Sequence, residues 1–556
     1  MTIRIKLLLP LVAVLVSACG GNSGTGQSST NTPAIAPALP ATEVNNAAPD
    51  TPLSKEEAFR LLEQTTFGAR LNDIDSIAGS GPEKWIDDQM TMPATFMSDG
   101  LRQSANKIWN EYVNVWWRQA INADDQLRQR TAFALSQIFV VSAEGALGSE
   151  QEGLANYYDM LLRHSFGNYR DLIKEITLSP VMGEYLSMKG NHKPDAELNL
   201  RPDENYAREL LQLFSIGLSM LNDDGTTIND DGGVPLPTYT QDTVEAFAHV
   251  FTGWHFANAE HFRWPTNKDF INPMVVWPEY HDTGEKTLLN GFVVPAGQSA
   301  EQDLDDALDN IANHPNVGPF IVKHLITKMI TSNPSPQYVN DVVQVFNENA
   351  QGERGNLGST VKAMLMHTEA REGHITNPQV FGKTKEPLMR ILQVWRAFSP
   401  NSIHKEFDYS WVGNELQQAP LGSPSVFNFF TPDYSQPGTI RNSGLVSPEF
   451  EILDESSMIS ITSRLLANSL WSHNYKVQND GQRIAINIDR EMDLESNPDA
   501  LLDHLDLLLL GGRMSDELRH EVVRLMDSRD YKNAASQRVA EAIFLISSSP
   551  EAAVQR

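Results

Sequence analysis

Glu209, Asn205 and Arg208 fall within one helical turn of one another in the stretch RPDENYARELLQLFSIGL, Arg201 to Leu218. Together they offer a carboxylate, an amide and a guanidinium. A carboxylate can act as a general base or a hard metal ligand, an amide orients a substrate, and a guanidinium stabilises negative charge. What makes the trio unusual is its oily surroundings. Projected at about 100° per residue, Glu204, Asn205, Arg208, Glu209, Gln212 and Ser215 share an arc of about 140°. Tyr206, Ala207, Leu210, Leu211, Leu213, Phe214 and Leu218 fill most of the remainder, and Ile216 intrudes on the polar arc. Such a stripe is either a solvated face laced by i,i+4 pairs such as Glu204 with Arg208, or the wall of a polar cleft in which Asn205 and Glu209 aim at one point.

A second group follows. Thr240 reads as the cap of a helix with Val244, Phe247, Ala248 and Phe251 on its core face, leaving Glu245 and His249 one turn apart elsewhere. That helix ends at TGWHF and leads into a long loop containing EYHDTGEK, where Glu279, His281, Asp282 and Lys286 offer proton-transfer groups or ligands. Glu209, Asn205, Arg208 and His281 are therefore the candidate catalytic set. Glu209, His281 and Asp282 are the candidate ligands of a divalent metal, although no HExxH or cysteine spacing supports one. The acidic segment Asn222 to Gly233 departs from a calcium-loop pattern, with Met220 where the first Asp should stand, and reads as a hydrated turn. His314, His324 and His367 sit in helical patterns, where caps or packing are their expected use. GxSxG, GxxxxGK[ST] and a Rossmann glycine pattern are all absent.

The elements that must position these residues are helical. Ser54 to Glu57 forms a capping box ahead of Ala58, Leu61 and Leu62, and the three-to-four period recurs along most of the chain. In the opening stretch a helix is expected from Pro202 to about Ser215, with Gly217 near its stop. Arg483 to Ile488 (RIAINI) is the best candidate strand. The expected fold is mainly α: a large multi-helical body with little β and two long ordered loops, Trp254 to Gln298 and Pro420 to Gly444.

Composition narrows the setting. The 556 residues are 41% hydrophobic and 21% charged, with a formal charge of −28. An acidic surface of that size argues against nucleic acid, whose phosphates require clustered cations. The start, MTIRIKLLLPLVAVLVSACGG, has Arg4 and Lys6 before a short apolar run and then Cys19, the only cysteine. Residues 1–18 read as a signal peptide too short to span a bilayer. Val16 to Cys19 resembles the bacterial lipobox, which implies cleavage before Cys19, lipidation of its sulfur and attachment to a membrane. Gly20 after the cysteine implies the outer membrane. Loss of Arg4 and Lys6 with the signal takes the charge to −30. Residues 19–50 then read as the lipidated Cys and a flexible tether, and residues 51–556 as the helical body.

Several segments carry a family resemblance. LLEQTTFGARLNDIDSIAGSGPEKWIDDQM, DQLRQRTAFALSQIFVVS, RPDENYARELLQLFSIGL with FTGW, HPNVGPFIVKHLITKMITSNPSPQYV, PSVFNFFTPDYSQPG and EAIFLISSSPEAAVQ together resemble the bacterial domain of unknown function 1800 family. The resemblance implies an exported, predominantly helical protein. It also implies a partner, because genes of this family often neighbour those of a second exported family, domain of unknown function 1501, which looks like the sulfatase and alkaline phosphatase superfamily. It carries no catalytic residues across. Two functions follow as expectations. One is a lipid-anchored accessory protein that binds an exported partner or an envelope polymer. The other is a hydrolase, with or without a metal, using the helix that bears Glu209.

Overall fold

Capping chemistry sets where the helices begin. Ser54 Oγ accepts from the Glu57 amide at 3.1 Å and Glu57 returns the bond to the Ser54 amide at 2.7 Å, which starts the helix Lys55–Thr65. Thr240 and Thr243 make the same reciprocal arrangement ahead of the helix Gln241–Val250. A computed structural model describes residues 52–105, 108–400, 409–473, 485–528 and 534–556, so Cys19 and the segments flanking it lie outside the described residues. Among those described there are 25 α-helices and three antiparallel ladders of two-residue strands. The mainly α expectation holds. Of RIAINI, Arg483 and Ile484 lie outside the described residues, and Ile486 makes only a single bridge, to His473. None of the described helices is long and apolar enough to cross a membrane.

Edge-on aromatic contacts tie the core together. Trp117 packs against Trp116 at 5.5 Å and against Trp395 at 5.1 Å, which joins the helix Glu111–Asn122 to the helix Pro387–Ala397. Each such pair contributes about 0.5–1.5 kcal/mol beyond its buried area.

The helix Val317–Met329 runs through this interior with Ile321, Val322, Leu325, Ile326 and Met329 sealed from water. Its last carbonyls have no partners within the helix and cannot reach solvent, so other elements must supply donors. Arg130 and Lys383 donate to Lys328 O at 2.7 and 2.8 Å. Gln555 Nε2 donates to Met329 O at 2.7 Å and to Ile330 O at 3.1 Å. Gln555 is held in place by the ladder that Val554–Gln555 forms with Lys383–Thr384. Buried cations at this end also suit the negative pole of the helix.

The helix from the opening stretch is shorter than its sequence period predicts, running Asn205–Gln212. At its start, Asn191 exchanges two hydrogen bonds with the backbone of Asp203, at 2.8 and 3.1 Å, and holds that residue out of the helix. At its end the turns widen. The amides of Phe214 and Ile216 reach back five residues, to Glu209 O and Leu211 O, and the Gly217 amide reaches back six. That closure needs Gly217 at φ +72°. It also rolls Ile216, expected on the polar side, fully into the core.

Candidate functional site

The polar stripe divides when folded. Asn205, the first helical residue, is exposed. Arg208 donates to Glu204 at 2.7 Å and to Gln241 at 3.1 Å on a half-exposed surface. Only Glu209 turns inward. It is 8% exposed, its Oε2 has no hydrogen-bond partner, and burial raises its pKa above the ordinary carboxyl value while Arg208 pulls the other way. Burial, with a smaller push from Glu209, raises the pKa of Tyr239, whose hydroxyl is likewise buried without a partner.

The histidine loop forms a separate clasp. Buried His281 presents Nδ1 to Thr252 O at 3.0 Å and Nε2 to Asp303 at 3.2 Å, and Asp303 also pairs with Lys286 at 2.6 Å. Asp282 bonds to His249 Nδ1, which holds its carboxyl down to about 2. Glu279 is exposed. Both ring nitrogens of His281 are engaged, and neither it nor Asp282 shares a partner with Glu209. Among the described residues, no group of three or more His, Cys, Asp or Glu side chains is arranged to hold a metal ion. Asp224 and Asp230 in the acidic segment accept from amides two to four residues on, closing their own turns. His367 caps a helix and His314 accepts the Asn316 amide, so both serve local backbone.

The third of those histidines behaves differently. Between the Gln212 end of the first helix and the helix Val317–Met329 lies a groove of about 510 Å³, a volume suited to a small ligand. Ile138, Val140, Ile216 and Leu218 give it apolar walls, and Phe427 and Phe430 close it from the long loop after Pro420. Phe320, His324 and Lys328 form its floor at successive turns of one helix. By contrast, an internal void of about 20 Å³ beside Glu63, Lys383 and Lys385 has room for no more than a water.

His324 Nδ1 lies 2.8 Å from Phe320 O. A carbonyl only accepts, so Nδ1 carries the proton and Nε2 keeps its lone pair. Burial pushes this imidazole down to about 4, which leaves the ring neutral at neutral pH. Lys328 is 5% exposed and its Nζ stands 4.0 Å over the Phe430 ring. Its ammonium makes no hydrogen bond or ion pair with any described residue. Of the nearby carboxylates, Glu449 pairs with Lys383 at 3.0 Å, Glu386 accepts from the amides of Gln137 and Gln418, and Asp433 lies exposed on the groove lining. Burial, the largest influence, together with Lys383 and Arg130 outweighs Glu386 and Glu449 and holds Lys328 down to about 8.

A large helical body with few strands, carrying an apolar groove lined by a lysine that is unpaired among the described residues, defines a class of protein rather than a reaction. The chain belongs to the family described as Protein of unknown function (DUF1800), whose profile matches residues 60–554. No curated protein and no solved structure matches it. Four of the segments that carry the family resemblance, separated by up to about three hundred residues, meet at this groove through Gln137, Gln212, Lys328 and Phe427. Lys328 went unread in the sequence. Its signal was the i, i+4, i+8 spacing of Phe320, His324 and Lys328 on a helix that is otherwise apolar apart from Lys323 and Thr327.

Proposed function

We propose that this is an exported, lipid-anchored accessory protein of the cell envelope. Its groove binds an apolar ligand, or a segment of a partner or envelope polymer, that ends in a single acidic group. One observation carries the reading: Lys328 Nζ, almost sealed from water, has no ion-pair partner among the described residues, and an entering carboxylate would supply one. The anchor rests on the lipobox-like Cys19 and the export on the signal segment before it. An exported partner of the domain of unknown function 1501 family remains the favoured protein ligand.

A charge-assisted hydrogen bond of this kind is worth about 1.5–3 kcal/mol, or roughly 10- to 150-fold in affinity. Titration calorimetry with hexanoate tests it. Hexanoate should bind and hexylamine should not. Lys328→Met should lose about tenfold or more, and affinity should fall as pH rises through about 8, where the ammonium loses its proton. Equal binding of the acid and the amine would sink the proposal.

A second reading, a hydrolase with Glu209 as its acid, is favoured by the raised pKa and unpartnered Oε2 of that residue. If Glu209→Gln fully complements a deletion strain, that reading fails.

A further inference from the structure

The floor of the groove treats its lysine as a nucleophile would need to be treated. Three features of the geometry matter. First, Lys328 lines a ligand-sized space, and its Nζ stands over the Phe430 ring with no hydrogen bond or ion pair to any described residue. Second, two further cations, Arg130 and Lys383, are fixed nearby because both donate to the Lys328 carbonyl at 2.7 and 2.8 Å. Like charges and lost hydration both favour the uncharged amine. Third, His324 stands one helical turn away with its proton committed to Phe320 O, which leaves its Nε2 lone pair without a donor among the described residues. The face of Phe430 and the carboxylates Glu386 and Glu449 favour the ammonium, but burial, the largest influence, together with the two cations holds the group down to about 8.

We infer that Lys328 forms a reversible imine with an aldehyde or ketone whose apolar body occupies the groove. The amine lone pair attacks the carbonyl carbon, a C–N bond forms, and the C=O π pair moves to oxygen. The proton lost by nitrogen passes to that oxygen, with His324 Nε2 the relay one turn away, giving a carbinolamine. The nitrogen lone pair then expels the hydroxyl group as water, which takes up a proton, and the second nitrogen proton is released. Amine and carbonyl thus become imine and water, and no oxidant or reductant is consumed. This inference rests on the same groove as the acid-binding reading and adds covalent chemistry to it.

At pH 7 a group titrating at about 8 is roughly 9% uncharged, against about 0.04% for an ordinary lysine near 10.4. The test is reductive trapping of the full chain with hexanal and cyanoborohydride, read residue by residue by peptide mass mapping. Lys328 should be alkylated at least about tenfold faster than the exposed lysines at pH 7, with its rate levelling above about 8. His324→Gln should slow that labelling by a larger factor than it weakens hexanoate binding. Lys328→Arg keeps the charge, so it should still bind hexanoate but give no adduct at this position. Labelling of wild-type Lys328 at the surface rate, in a protein that binds hexanoate, overturns the imine and leaves the acid site standing. Fast labelling in a protein that ignores hexanoate supports the imine and removes the acid site.

Discussion

Glu209 shows how one side chain can record its own environment. Burial raises its pKa, so between the unfolded and folded values the native state holds more protons than the unfolded chain. The slope of stability with pH is then negative: the folded state loses stability as pH rises from the unfolded carboxyl pKa through the folded one. Glu209→Gln keeps the shape and removes the charge. The variant should match the wild type in urea near pH 4 and exceed it by about 1 kcal/mol near pH 8, because an unsatisfied buried charge costs at least that much. A variant that is less stable than wild type at pH 8 would mean the carboxylate has a partner there. Arg208 and Asn205 carry no such penalty, since one sits in a half-exposed i,i+4 pair and the other is exposed.

At the scale of elements, the end of the helix Val317–Met329 decides where Lys328 points, and that end is finished by residues from elsewhere in the chain. Gln555 Nε2 serves two carbonyls. Gln555→Ala leaves both without that donor in the interior and should cost about 2 kcal/mol in urea unfolding, while the exposed Gln351→Ala should change stability by less than about 0.5 kcal/mol. Gly217→Ala tests the other wall. A Cβ there would stand 3.0 Å from two Phe320 ring carbons on a backbone at φ +72°, so about 1–2 kcal/mol of stability should be lost and hexanoate binding weakened. These contacts explain what the sequence could and could not tell. The Ser54 and Thr240 caps were legible because each closes within three residues, and so was the dominance of helix. The late start at Asn205 was not, because Asn191 imposes it from outside the window. Lys328 was hidden for the same reason: its burial depends on Arg130, Lys383 and Gln555, and no local period reports donors that arrive from 55 to 227 positions away.

The whole molecule sets a different filter on the same groove. A formal charge of −28 surrounds the site with a potential that repels anions, whereas the attraction of Lys328 is confined to the groove floor. Long-range repulsion is screened by salt and a buried short-range contact is screened far less. The Debye length falls from about 30 Å at 0.01 M to about 8 Å at 0.15 M. Hexanoate should therefore bind more tightly as salt is added over that range, by about two- to fivefold, the reverse of ordinary anion binding to a basic surface. A steady loss of affinity with salt would place hexanoate on exposed lysines instead. The same field explains why a single acidic group on an apolar body is the fitting ligand: a polyanion meets the repulsion at every charge and gains only one contact at the floor. Titrating hexanoate and a polyphosphate side by side at low salt should show the first bound and the second excluded, with Lys328→Met abolishing the difference.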